Sequence, residues 1–174
     1  EAGVDVGVMK PVASGGRADA RRLRSAAGVR DPFSLINPIW FSRPAAPAAQ
    51  INGGGFPLAR VRAAWRRLQA RHDLMVVEGI GGVLVPLDRR RTVVDLIRVL
   101  RLPVIVVARA DLGTLNHTLL TIQALRQGGV PILGIVLNGK AGGFAGKTNL
   151  VLLRRLTGLS VWRVPWRRNA NAHL

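Results

Sequence analysis

Leu74-Met75-Val76-Val77-Glu78-Gly79-Ile80-Gly81-Gly82-Val83-Leu84-Val85-Pro86-Leu87 is the stretch that decides the fold. Its first four residues form a short apolar, largely β-branched run, which predicts a strand buried on both faces in a parallel sheet. The run stops at a carboxylate followed by Gly-Ile-Gly-Gly. Glycine permits positive φ and lets backbone N–H groups approach a ligand closely. A carboxylate just past the carboxyl end of a parallel strand stands where α/β sheets bind ligands. An isolated Glu-Gly-x-Gly-Gly is ordinarily a turn with a solvated acid. Glu78 is more informative because the chain has only nine acidic residues and two glutamates.

Outward from this stretch, strands and helices alternate. Strands are predicted at Val6–Met9, 104–107, 132–137 and Val161–Val164. Helices are predicted at 17–27, 58–71, Val93–Leu100, Thr114–Gln127 and 150–156. Lys10-Pro11 ends the first strand because proline has no ladder N–H, and 12–16 reads as a loop. Residues 37–47, rich in proline, read as an irregular connection packed by Trp40 and Phe41. Leu58, Val61, Trp65 and Leu68 mark one apolar face of the helix over 58–71. Gly128-Gly129 is a helix stop. This rhythm predicts an α/β fold in three layers around a mostly parallel sheet, with residues 1–174 as one domain.

Composition narrows the class. The 174 residues are 48% hydrophobic, enough for a core, and contain no cysteine, which excludes disulfides and thiolate metal sites. The apolar runs are too short to span a bilayer and no targeting signal is evident, so a cytoplasmic protein with no membrane partner is expected. The net charge of +17 is carried almost wholly by arginine; Lys10, Lys140 and Lys147 are the only lysines. Such charge suits phosphate backbones. However, the arginines are spread through the helix-like segments, and no tyrosine and few other aromatics accompany them, so no dedicated nucleic-acid partner is expected.

Lys10, Ser14, Asp19, Glu78, the glycine loop and Asn138 all fall just past predicted strand ends, which share one edge in a doubly wound sheet. Asp19 and Glu78 are hard oxygen donors of the kind Mg²⁺ takes alongside water and phosphate oxygens. Lys10 is a compact charge able to neutralise a phosphoryl group in transfer.

Lys10-Pro11-Val12-Ala13-Ser14-Gly15, Asp19, Val77-Glu78-Gly79-Ile80-Gly81-Gly82, Leu112-Gly113-Thr114-Leu115-Asn116-His117-Thr118-Leu119-Leu120-Thr121, Gly134-Ile135-Val136-Leu137-Asn138 and Val164-Pro165-Trp166 occur in that order. Together they resemble the dethiobiotin synthetase family, from about Val6 to Trp166. The resemblance implies ligation of 7,8-diaminopelargonate with CO₂, driven by ATP and Mg²⁺, to give dethiobiotin in biotin synthesis. A carbamate forms, is phosphorylated to a mixed anhydride, and closes to a cyclic urea. It further implies Lys10 as the catalytic lysine, Ser14 at the diamine, and Asp19 and Glu78 as metal ligands that also face the nucleotide. Gly79, Ile80, Gly81, Asn138, Gly139, Pro165, Trp166 and Arg167 would complete the nucleotide site. The family is homodimeric. His117 is expected to orient or pack rather than to act as a base.

The resemblance also implies a P-loop NTPase-like fold whose first strand and Gly-Lys-Thr phosphate loop belong upstream of Lys10, where neither is found. The chain is therefore expected to be incomplete at its N-terminus, and these residues alone are expected not to turn over. Gly146-Lys147-Thr148 is not that loop, because the first glycine of the motif falls at Ala141; a coincidental turn is expected there. A cobyrinate-type amide synthetase, a partitioning-type ATPase and a non-catalytic basic binding protein on the same scaffold are the alternatives.

Overall fold

The structure is a computed structural model that describes residues 3–139 and 143–164, with only the backbone described at 143, 144, 145 and 147. The chain divides into two compact units, with the boundary between Leu100 and Arg101.

In the first unit, strand β1 (Val6–Met9) pairs in parallel with β4 (Leu74–Val77), Val6 opposite Leu74 and Met9 opposite Val77. A second parallel pair joins β2 (Val12–Ser14) to β3 (Ile39–Phe41). Helix α1 (Ala18–Ala27) ends at Gly28, whose φ of 67° supplies the left-handed stop that a side chain resists. A one-turn helix α2 (Phe33–Ile36) leads into β3. Val8, Ala20 and Ile36 form a buried cluster extended by Leu23, Ala27, Val29 and Phe33, so α1 and α2 cover the Val8 face of β1. Helix α3 (Leu58–Gln69) buries Val61, Ala64 and Leu68. Burial of each larger apolar side chain contributes about 1.5–3 kcal/mol, which fixes the stripe that faces inward. Helix α4 (Val93–Leu100) closes the unit.

The second unit is a three-stranded parallel sheet in the order β5 (Val104–Arg109), β6 (Ile132–Asn138) and β7 (Val161–Val164). Helices α5 (Thr114–Gln127) and α6 (Gly143–Thr157) connect the strands. Val106, Ile135 and Val161 stand in register on one buried face.

The α/β alternation and the parallel pairing agree with the sequence reading; several local expectations do not. Residues 12–14 are strand rather than loop, because immediately after Pro11 the chain takes up a separate parallel ladder with Ile39–Phe41. Residues 37–47 contain β3 instead of being wholly irregular, and Trp40 is exposed rather than packing the connection. The apolar runs at Leu74–Val77, 104–107 and 132–137 are strands, but none is buried throughout. Leu74 and Val76 are about half exposed, and Ile105, Val107 and Leu133 are exposed as well. An unbroken apolar run permits burial on both faces, but burial also requires a neighbour on each. Gly146-Lys147-Thr148 lies within α6 rather than in a turn. Pro165, Trp166 and Arg167 lie outside the described residues.

Candidate active site

Lys10, Asp19 and Glu78 meet at the carboxyl ends of β1 and β4. Lys10 directly follows β1 and Glu78 directly follows β4, so the parallel register sets them side by side, and the Glu78 N–H donates to the Met9 carbonyl (2.9 Å). The Lys10 ammonium donates to Glu78 Oε1 at 2.7 Å and lies 3.3 Å from Asp19 Oδ2, which α1 supplies from its first turn. The lysine side chain is only 6% exposed, whereas Asp19 is 56% and Glu78 45% exposed. The cation is thus sunk into the protein and both carboxylates keep oxygen lone pairs open to solvent. Such an arrangement is not a closed structural ion pair, since the two exposed carboxylates are shared with water, which weakens their hold on the ammonium. It leaves hard oxygen donors and a desolvated positive charge pointing to one place.

The Lys10 backbone is held as firmly as its head. Its N–H donates to the Ile36 carbonyl (2.7 Å), and its carbonyl accepts from Asn37 Nδ2 (2.8 Å). Ser14, at the end of β2, lies 3.4 Å from Gln50 Nε2, and the same amide donates to the Arg43 and Ala45 carbonyls. Gln50 and Asn37 carry no sequence signal of their own beyond the Asn-Pro step at 37–38.

The loop after Glu78 is partly open. Gly81 has a φ of 57°, and a Cβ there would come within 3.0 Å of Val85. Among the described residues, the N–H groups of Gly79, Ile80, Gly81 and Gly82 donate to no protein acceptor. Backbone N–H groups of this kind serve anions well. The first N–H groups of α4 are already used, since Val93 and Val94 donate to the Val85 and Val83 carbonyls.

Asn138 and Gly139 belong to the second unit, at the end of β6, where the Asn138 carbonyl accepts from the Ala110 N–H (3.2 Å) and Gly139 has a φ of 119°. His117 is solvent-exposed on α5, so it does not pack a core. Its position one turn into the helix leaves the ring beside Gly113 rather than under a neighbouring element.

A family model described as an AAA domain matches residues 1–173. An ATP-dependent dethiobiotin synthetase from Endomicrobium trichonymphae is 38% identical over 169 residues, covering 92% of this chain and 78% of the relative. The enzyme of the same name from Anaeromyxobacter dehalogenans (strain 2CP-C) is 54% identical over 143 residues, covering 79% of this chain. That from Methanococcus vannielii is 40% identical over 140 residues, again 79% of this chain. The chain spans 64% of the length of the Anaeromyxobacter relative and 66% of the Methanococcus one. With strand-end residues in the predicted order and this likeness along most of its length, the chain belongs to the ATP-dependent dethiobiotin synthetase family.

Proposed function

We propose that this chain carries the charge-compensating and metal-binding residues by which 7,8-diaminopelargonate and CO₂ are joined, at the expense of ATP, to form dethiobiotin. The observation that carries this reading is the buried Lys10 ammonium held between two exposed carboxylates. An amine that has captured CO₂ as a carbamate presents an anion, and so does the γ-phosphate. A desolvated ammonium between them offsets the repulsion that opposes their approach, and its strength grows as water is excluded. Phosphoryl transfer asks mainly for such positioning and charge compensation, with no covalent nucleophile from the protein.

Asp19 and Glu78 fit Mg²⁺, because both are hard donors with solvent-facing oxygens and already share one cation, the Lys10 ammonium. Bound there, the ion supplies charge neutralisation on the phosphate oxygens. The free N–H groups of Gly79, Ile80 and Gly81 would take phosphate oxygens, and Ser14, steadied by Gln50, would contact the diamine. Asn138, Gly139, Pro165, Trp166 and Arg167 are assigned to the nucleotide by family likeness. A homodimer and a cytoplasmic location belong to the same reading; among the described residues no helix is long and apolar enough to cross a membrane.

The test is dethiobiotin formation from diaminopelargonate, bicarbonate and Mg²⁺-ATP. It is run on these residues and on a form extended to the length of the relatives. Diamine-dependent product in the extended form supports the reading. ATP hydrolysis there without dependence on the diamine points instead to another ATPase of the same fold.

A further inference from the structure

We propose that Asn37, braced by Arg17, is a positioning residue that sets the place of Lys10, an inference that rests on the reading of Lys10 given above. Lys10 and Asn37 each precede a proline, Pro11 and Pro38, and each then leads into a strand, β2 and β3. An X-Pro step holds the preceding residue extended and removes one N–H from the ladder. Pro38 itself has no N–H, and the next one along, that of Ile39, goes to the Pro11 carbonyl (3.3 Å) rather than to that of Lys10. The side-chain amide of Asn37 supplies the donor instead, 2.8 Å from the Lys10 carbonyl, and its second hydrogen goes to the Ile39 carbonyl at 3.0 Å.

The other end of the same amide is also occupied. Asn37 Oδ1 accepts from Arg17 Nε at 2.8 Å, and the Asn37 carbonyl accepts from the same guanidinium at 3.1 Å. Asn37 is 2% exposed. A buried amide with donors and acceptor all engaged has one orientation, so it transmits position rather than merely filling space. The guanidinium lies over the Phe33 ring, 4.4 Å from its centre, which restricts it further. Arg17 is the residue before α1, and Asp19 follows two positions later. One side chain thus ties the backbone of Lys10 to the start of the helix that carries Asp19. It fixes both members of the ion pair while touching neither the ammonium nor the carboxylate.

Two measurements test this. In the form extended to the length of the relatives, Asn37→Ala should lower kcat about tenfold or more while KM for ATP moves much less. In a Lys10→Ala background the same substitution should change kcat less than about twofold, because the group it positions is gone. Equal losses in both backgrounds would show a general structural role and overturn the proposal. An unchanged kcat for Asn37→Ala beside a depressed kcat for Lys10→Ala would overturn positioning alone; an unchanged kcat for Lys10→Ala would overturn the role of Lys10 as well. The second measurement needs no turnover and uses Arg17→Ala, at a half-buried position, in case Asn37→Ala fails to fold. Lys10 labelling by an amine-reactive ester, normalised to Lys140 and Lys147, should rise several-fold in Arg17→Ala. An unaltered Lys10 labelling rate would overturn the brace.

Discussion

The two ends of the β1–β4 pair carry charge clusters built in opposite ways. At the carboxyl ends a buried cation faces exposed acids. At the amino ends a buried acid, Asp31, faces a nearly buried histidine, with side chains 3% and 9% exposed. His72 Nε2 lies 2.7 Å from Asp31 Oδ2, and His72 Nδ1 lies 3.0 Å from Asp5 Oδ1. Both ring nitrogens face carboxylates, an arrangement that suits the doubly protonated imidazolium, which donates from both. Arg71 stands 3.3 Å from Asp31 Oδ1 as an ion-pair partner, although that oxygen receives no hydrogen bond. The Asp73 carboxylate accepts from the Asp5 N–H. One cluster closes on itself and fastens the strand pair; the other leaves its carboxylate oxygens open to solvent. The lesson is that opposite charges in contact indicate structure or function only once one knows which partner is buried.

The strongest way to break the comparison is Asp31→Ala, which leaves the nearly buried His72 with one carboxylate instead of two and takes away the ion-pair partner of the half-exposed Arg71. We expect a loss of about 3–5 kcal/mol, measured by urea unfolding. A loss below 1 kcal/mol would make the amino-end cluster no more structural than the carboxyl-end one. Lys10→Ala comes next: kcat for dethiobiotin formation in the extended form should fall about a hundredfold, with Lys10→Arg failing to restore it. Near-normal kcat would remove the functional half of the contrast.

A sharper distinction comes from pH. The hydrogen bond to Asp5 is the foremost cause that raises the His72 pKa above its ordinary 6.5; burial opposes it, and Asp31 adds to the rise. A raised folded pKa means that stability from this group is fully present below 6.5 and is lost as pH rises through the folded value. The melting temperature should therefore decline across that window, and His72→Gln should flatten the decline. Asp88 behaves in the opposite sense. Burial pushes its carboxyl up, but the N–H groups of Phe56, Arg90 and Arg91 outweigh this and lower it below 3.8. Its contribution is present above 3.8 and is lost as pH falls through the folded value. A melting temperature that rises with pH above 6.5 would contradict the closed histidine cluster.

The smallest effect is expected at Glu78→Gln. The exposed carboxylate should cost less than about 1 kcal/mol of stability when neutralised, while turnover at limiting Mg²⁺ falls. Full activity at limiting Mg²⁺ in both Glu78→Gln and Asp19→Asn would withdraw the metal assignment.

Much of the candidate site was legible because it sits at punctuation. Lys10 precedes a proline, Glu78 ends an apolar run, and Asp19 opens a helix, each of which is a local signal. Asn37, Arg17, Gln50 and the Asp5–His72–Asp31 cluster were not legible in this way. Their partners are far apart in sequence, and nothing local distinguishes an asparagine that serves a distant carbonyl from one in a turn. Gly7 is similar. Its neighbours read as plain strand, yet a Cβ there would collide with the His72 ring and the Met75 sulfur.

By itself the sequence determined the order of the longer strands and helices, the parallel class and the residues at their strand ends, but not β2, α2 or β3. Periodicity, proline and glycine act over a few residues and need no tertiary partner to be read. Tertiary structure decided which faces of β4, β5 and β6 are covered, that the chain after Pro11 pairs with β3, and which member of each ion pair is buried. Burial and hydrogen-bond completion depend on what lies across space. The same lysine and carboxylates would have read alike along the chain whether they closed a structural clasp or held a site open.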